Sequence, residues 1–240
     1  MKKDFWDSWK NKTNIEKKAI RVIKLAKERI IKSVPKKALF SIYIKGSFVR
    51  REMNKKSDVD IVPIITENKY QGAIFEVNSK EIAPAIVVPL SLEEFKKNKL
   101  FTKSHRLIDL RAKPDSLLSK LNECKLIYGK KLNPKKFKIR SRSKALKEEI
   151  KVIEKGYIPY YKINNIQFEP LLKEVFWLVE LELINKGIKV KGSFIDLARA
   201  VKDKSHIIHE AIKLRNYKKI TKTQKTKFLT KLKLYLKNLK

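Results

Sequence analysis

The chain has 240 residues, 42% of them hydrophobic, and its 59 Lys plus Arg against 25 Asp plus Glu give a formal net charge of +34. That length allows one large or two small domains, and the apolar content excludes a disordered chain despite the charge. No run reaches the roughly eighteen apolar residues of a membrane span, residues 1–10 lack a signal-peptide core, and one cysteine, Cys124, excludes an internal disulfide or a cysteine-based zinc site. A soluble cytoplasmic protein with no membrane partner is expected. The charge favours a polyanion such as RNA or DNA as a partner, while the oligomeric state is left open.

Residues 13–33 open with the capping pair Thr13 and Glu16 and set Ile15, Ala19, Val22, Ile23, Ala26 and Ile30 on one helical face. After Pro35, residues 38–45 are rich in β-branched and aromatic side chains and predict a strand that ends at Gly46-Ser47. A short basic connection follows, and residues 58–65 predict a second apolar strand with acids at alternate positions. Residues 69–77 and 81–90 read as extended, joined at Asn78-Ser79-Lys80 as in a hairpin. Ser91 begins a helix that it caps together with Glu94. From residue 143 on, five segments (143–155, 169–186, 193–202, 206–217 and 223–239) have helical apolar spacing. The fold class expected is α/β (α+β): a helix over residues 1–35 packed on a small mixed-sheet domain, residues 36–132, followed by an all-helical domain, residues 133–240.

The chemistry concentrates at the two strand ends. Asp58 and Asp60 are two residues apart on a strand, so both carboxylates point to one face, as joint binding of a hard divalent cation and a substrate's phosphates requires. Gly46 lets backbone approach a phosphate closely, and the amide and hydroxyl of Ser47 can donate to its oxygens. Arg50 and Arg51, in the connection between these halves, carry planar donors suited to a triphosphate.

Read together as IYIKGSFVRREMNKKSDVDIVPII, these residues resemble the polymerase beta-like nucleotidyltransferase superfamily: an apolar strand, Gly-Ser, about ten residues, then acid-apolar-acid. The resemblance is tightest over residues 38–65, where it is similar to the minimal nucleotidyltransferases and, more distantly, the aminoglycoside nucleotidyltransferases. It implies a metal-dependent enzyme that uses Mg²⁺ or Mn²⁺, binds ATP or another nucleoside triphosphate, and transfers its nucleoside monophosphate to an acceptor hydroxyl as pyrophosphate leaves. The 3′ end of RNA, a protein hydroxyl and a small molecule all stay open as acceptor. By the same resemblance, Asp58 and Asp60 are metal ligands and catalytic residues, while Gly46, Ser47, Arg50 and Arg51 bind the nucleotide. The family's third carboxylate lies on a neighbouring strand. Here residues 82–88 carry Pro84, Ala85 and Ile86 inside, so Glu76 is the first choice for it and Glu81 the next.

Gly192-Ser193-Phe194 repeats Gly46-Ser47-Phe48 without paired acids behind it, so the tripeptide alone carries no weight. Two other readings follow from the residues. One is a degenerate nucleotidyltransferase fold that only binds nucleic acid. The other rests on Arg199 and His206, six intervening residues apart, which resemble the motif of HEPN-type ribonucleases.

Overall fold

A computed structural model describes residues 4–55, 57–101, 108–190 and 193–240. They divide into two compact units, Met1–Phe101 with Arg111–Ile139 and Thr102–Leu110 with Arg140–Lys240.

The first unit is built on a mixed five-stranded sheet. Helix α1 (Asn14–Ser33) starts at Thr13, whose side chain accepts from the Glu16 amide while Glu16 accepts from the Thr13 amide, the reciprocal cap expected from the sequence. Its face of Ala19, Ile23, Ala26 and Ile30 is fully buried against the sheet. Strand β1 (Leu39–Lys45) leads into a four-residue helix, α2 (Ser47–Arg50), and β2 (Val59–Ile65) returns antiparallel to β1 with Lys45 directly opposite Asp60.

The hairpin expected over residues 69–90 does not form in its first half. A 3₁₀ turn and helix α3 (Gln71–Phe75) stand there instead, because Gln71, Ile74 and Val77, three apart, are the positions that bury. What a partner strand would have supplied comes from one side chain: Asn78 donates to the Val87 carbonyl at 2.9 Å and accepts from the Val87 amide at 2.8 Å.

Strands β3 (Ala85–Val87) and β4 (Leu90–Ser91) then pair parallel to successive parts of β2 in one constant register, interrupted at Val88-Pro89. Pro89 has no amide to continue the ladder. Helix α4 (Leu92–Lys97) carries the Ser91–Glu94 capping box, α5 (Pro114–Ser119) follows, and β5 (Lys125–Gly129) closes the sheet antiparallel to β1, in the order β3-β2-β1-β5.

Strand alternation gives the sheet two different faces. Ile42, Ile44, Val59, Ile61 and Val87 face α1. Tyr43, Val62 and Ile64 face Phe95, Leu117 and Leu118 of α4 and α5. Asp60 shares the second face, at the end of β2 that Val62 and Ile64 do not occupy.

The second unit is helical: α6 (Arg142–Val152), a π-helical turn (Ile153–Tyr157), α7 (Ile158–Lys162), α8 (Phe168–Asn185), α9 (Phe194–Ala200), α10 (Ile207–Asn216) and α11 (Lys222–Asn238). Its core gathers around α8, where Leu171, Val175, Phe176, Leu178 and Val179 meet Ile207, Ile208, Phe228 and Leu232. No helix among the described residues is long and apolar enough to cross a membrane.

Candidate active site

Gly46 closes β1 with φ +82° and ψ −154°, backbone angles open almost only to glycine. Space demands glycine as well. A Cβ built there would lie 2.8 Å from Oδ2 of Asp60, so the Gly-Ser turn is pressed against that carboxylate. Gly46 takes the cap position of α2 and Ser47 is the first helical residue. Phe48 anchors this turn from below: it is fully buried, with its ring centroid 5.0 Å from that of Trp9 and 6.0 Å from that of Trp6. The N-terminal segment thus holds the turn in place by packing, a role the sequence did not reveal because Trp6 and Trp9 lie about forty residues away in the chain.

Asp60 lies on β2 and Asp58 one residue before the strand, both half-buried. The structure brings Gly46, Ser47, Asp58 and Asp60 to one end of the sheet. Lys45 stands opposite Asp60 on the same face. Asp58 also lines an open depression with Lys55, Ser57 and the stretch Ala83, Pro84, Ala85 and Ile86. Cys124 lies close enough to feel this charge: burial pushes its thiol up to about 11, Lys45 opposes the shift and Glu123 and Asp60 add to it.

The two arginines of the turn differ. Arg50 is exposed and binds Glu52 at 2.7 Å. Arg51 is engaged: its guanidinium donates to Glu16 at 2.8 Å and to the Lys10 and Asn11 carbonyls, and lies 4.9 Å from the Trp9 ring centre. It ties α2 to the start of α1. The Arg51 hydrogen bond, outweighing burial, holds the Glu16 carboxyl at about 2. Tertiary packing thus gives Arg51, expected from the motif as a phosphate ligand, a clamping contact between α2 and α1 as well.

Glu76 stands at the end of α3, exposed, and not on a strand beside β2 as expected. Two residues on, Asn78 meets β3 on the edge away from β2. Glu81 is ion-paired with Arg29 of α1. The residue registered beside Asp60 on β3 is Ile86, an exposed apolar side chain. Among the described residues no three His, Cys, Asp or Glu form a group able to hold a metal. Two carboxylates at one strand end, Asp60 on β2 and Asp58 just before it, have the chemistry to suit a hard cation such as Mg²⁺ that keeps the rest of its shell on phosphate oxygens and water.

In the helical unit, His206 sits in a closed network. Its Nδ1 accepts from the Ile208 amide at 3.2 Å, which leaves the proton on Nε2, 3.2 Å from the buried Glu182 carboxylate. Tyr235 donates to the same carboxylate and Lys186 binds it at 2.6 Å. Burial pushes Glu182 up, but these partners outweigh it and hold the group at about 2. Both nitrogens of His206 are occupied internally, and Arg199 is exposed beside Asp196. In this structure the histidine of the pair is engaged within its own unit. Gly192 of the second Gly-Ser-Phe lies outside the described residues.

No protein-family model and no curated protein sequence matches the chain significantly. Among solved structures, it is similar to spectinomycin adenyltransferase AAD(9) from Enterococcus faecialis, crystallised with ATP and spectinomycin. The TM-score is 0.58 at 15% identity, covering 92% of this chain and 98% of that one. An identity this low carries the fold and not the substrate. This chain shares the fold of that structure, with an α/β unit and a helical unit on one polypeptide.

Proposed function

We propose that the chain is a metal-dependent nucleotidyltransferase that moves a nucleoside monophosphate from a nucleoside triphosphate to an acceptor hydroxyl. The observation that carries this reading is the contact of Gly46 with Asp60, where only a residue without Cβ fits between strand end and carboxylate. Asp58 and Asp60 would hold the cation through their carboxylate oxygens, and Gly46 and Ser47 would hold the phosphates from the adjacent turn. A bound Mg²⁺ or Mn²⁺ supplies Lewis-acid stabilisation of charge on the triphosphate. The acceptor oxygen bonds to the α-phosphorus, the bond to the β-phosphate bridging oxygen breaks, pyrophosphate leaves, and the hydroxyl proton passes to water. Positioning and electrostatics supply most of such a rate enhancement. Similarity to an ATP-bound enzyme of this fold supports ATP as donor.

A second reading is favoured by Ile86. With an apolar side chain beside Asp60 and no carboxylate there, the site suits a nucleotide-binding protein that transfers slowly or not at all. One experiment separates the two: purified protein with Mg²⁺, each labelled triphosphate, and total RNA, cellular protein or small-molecule extracts. Label should move to one acceptor class, and Asp58→Ala should abolish that transfer at unchanged melting temperature. Transfer retained in Asp58→Ala refutes the assignment. Triphosphate binding without transfer, with transfer appearing in Ile86→Glu, establishes the second reading instead.

A further inference from the structure

Helix α11 carries six lysines and no acid along Lys222–Asn238. Its apolar stripe, Phe228, Leu232 and Leu236, is fully buried in the helical core. The lysines therefore remain on the outer side, and the stripe that a membrane-inserting helix would need is already covered.

Contacts along the helix place its end. Lys233 meets Lys162 of α7, and Lys240 binds Glu154 of the π-helical turn at 2.8 Å. The last turns of α11 thus run antiparallel to the π turn and α7. Beyond them a depression is lined by Lys147, Lys151, Glu154 and Lys240. Lys147, Lys151, Lys162 and Lys233 are all exposed. From Lys147 to Lys162 the rise of a helix gives a strip of roughly 20 Å.

The meeting of Lys162 and Lys233 is unfavourable as it stands. Hydrogen-bond proximity to one cation, and then its charge, hold the Lys233 ammonium below the ordinary lysine range. An anion between the two would remove that repulsion. One anionic group would not fill the strip, but a row of phosphates would: a duplex presents one per strand about every 3.4 Å, so roughly 20 Å spans about six base pairs.

We propose that the seam between α7 and α11, with Lys147, Lys151, Lys162 and Lys233, binds the phosphate backbone of a nucleic acid. This surface lies wholly within the helical unit and does not depend on nucleotide transfer. Contact through lysines to phosphates positions a duplex without reading its bases, so binding is salt-sensitive and indifferent to sequence.

The test uses the full chain with fluorescein-labelled 20-bp RNA and DNA duplexes, and phosphatidylserine vesicles, across a salt series. The seam variant is Lys147→Gln/Lys151→Gln/Lys162→Gln/Lys233→Gln. The control, Lys202→Gln/Lys204→Gln/Lys218→Gln/Lys219→Gln, has the same net charge with its losses elsewhere on the unit. The seam variant should lose at least tenfold in affinity for one or both duplexes, with a log–log salt slope shallower by about three to four. The control should lose less than threefold, and Lys→Arg at the four seam positions should retain binding. The RNA and DNA arms identify which backbone is held. The proposal is overturned if wild type binds neither duplex, if seam and control variants lose equally, or if the seam lysines support vesicle binding but no duplex binding.

Discussion

The same three letters, Gly-Ser-Phe, occur in each unit and become different objects. At Gly46 the chain turns with φ +82° against the carboxylate of Asp60, Gly46 itself takes the cap position with Ser47 as the first helical residue, and Phe48 is buried among tryptophans from the N-terminal segment. In the helical unit Ser193 is an ordinary helix cap: it accepts from the Asp196 amide at 3.1 Å and donates to that side chain at 2.6 Å, while Phe194 stacks on Phe176 at 4.0 Å. The difference lies in what faces the turn. Ser47 stands beside a half-buried acid, where the proposed function gives it a ligand, whereas Ser193 is bonded to its own helix and serves stability.

Substitutions sharpen this contrast, and the largest effect belongs to the first site. Gly46→Ala places a methyl against Oδ2 of Asp60 in a conformation alanine resists. It should cost about 1–3 kcal/mol in denaturant unfolding and lower triphosphate affinity at least tenfold by titration calorimetry. If affinity is unchanged, the contact with Asp60 is only structural.

Next comes the clamp beneath that turn. The Glu16 carboxyl, at about 2 in the folded chain against 4.5 for a free group, gives stability that is complete above pH 4.5 and is lost as pH falls from there towards 2. Such a shift corresponds to roughly 3 kcal/mol, reduced to about 1–2 kcal/mol because Arg51 is partly in water, where the pair is screened. Arg51→Ala should therefore lower stability at pH 7, with the gap to wild type narrowing through that acid window. A pH-independent gap in chemical denaturation would show that Arg51 acts through its contact with Trp9 instead.

The smallest effect is expected at the second site. Ser193→Ala should cost about 1 kcal/mol, the usual loss of a helix cap, and leave nucleotide binding and transfer as they are. A loss of activity there would erase the distinction between the two tripeptides.

Much of the fold was legible because it depends on neighbours in sequence. The Thr13–Glu16 and Ser91–Glu94 caps, β1, β2 and the five helical segments after residue 143 follow from local hydrogen bonding and apolar period, and all lie where the pattern puts them to within a few residues. Period failed at residues 69–77, where a window this short fits a strand and one turn of helix equally well. Strand β5 has only Ile127 buried along its length and offers no alternation strong enough to read.

By itself the sequence singled out the pair Asp58 and Asp60 and the glycine turn ahead of them, since both rest on local spacing along the chain. Only tertiary structure decided which residues join them. The pairing of β2 with β3 puts Ile86 beside Asp60, and α3 leaves Glu76 at a helix end and not on a strand. The packing of Glu16, Trp9 and Arg51 engages one of two adjacent arginines between α1 and α2. Each of these depends on register and on contacts between residues far apart in the chain, which no local period encodes.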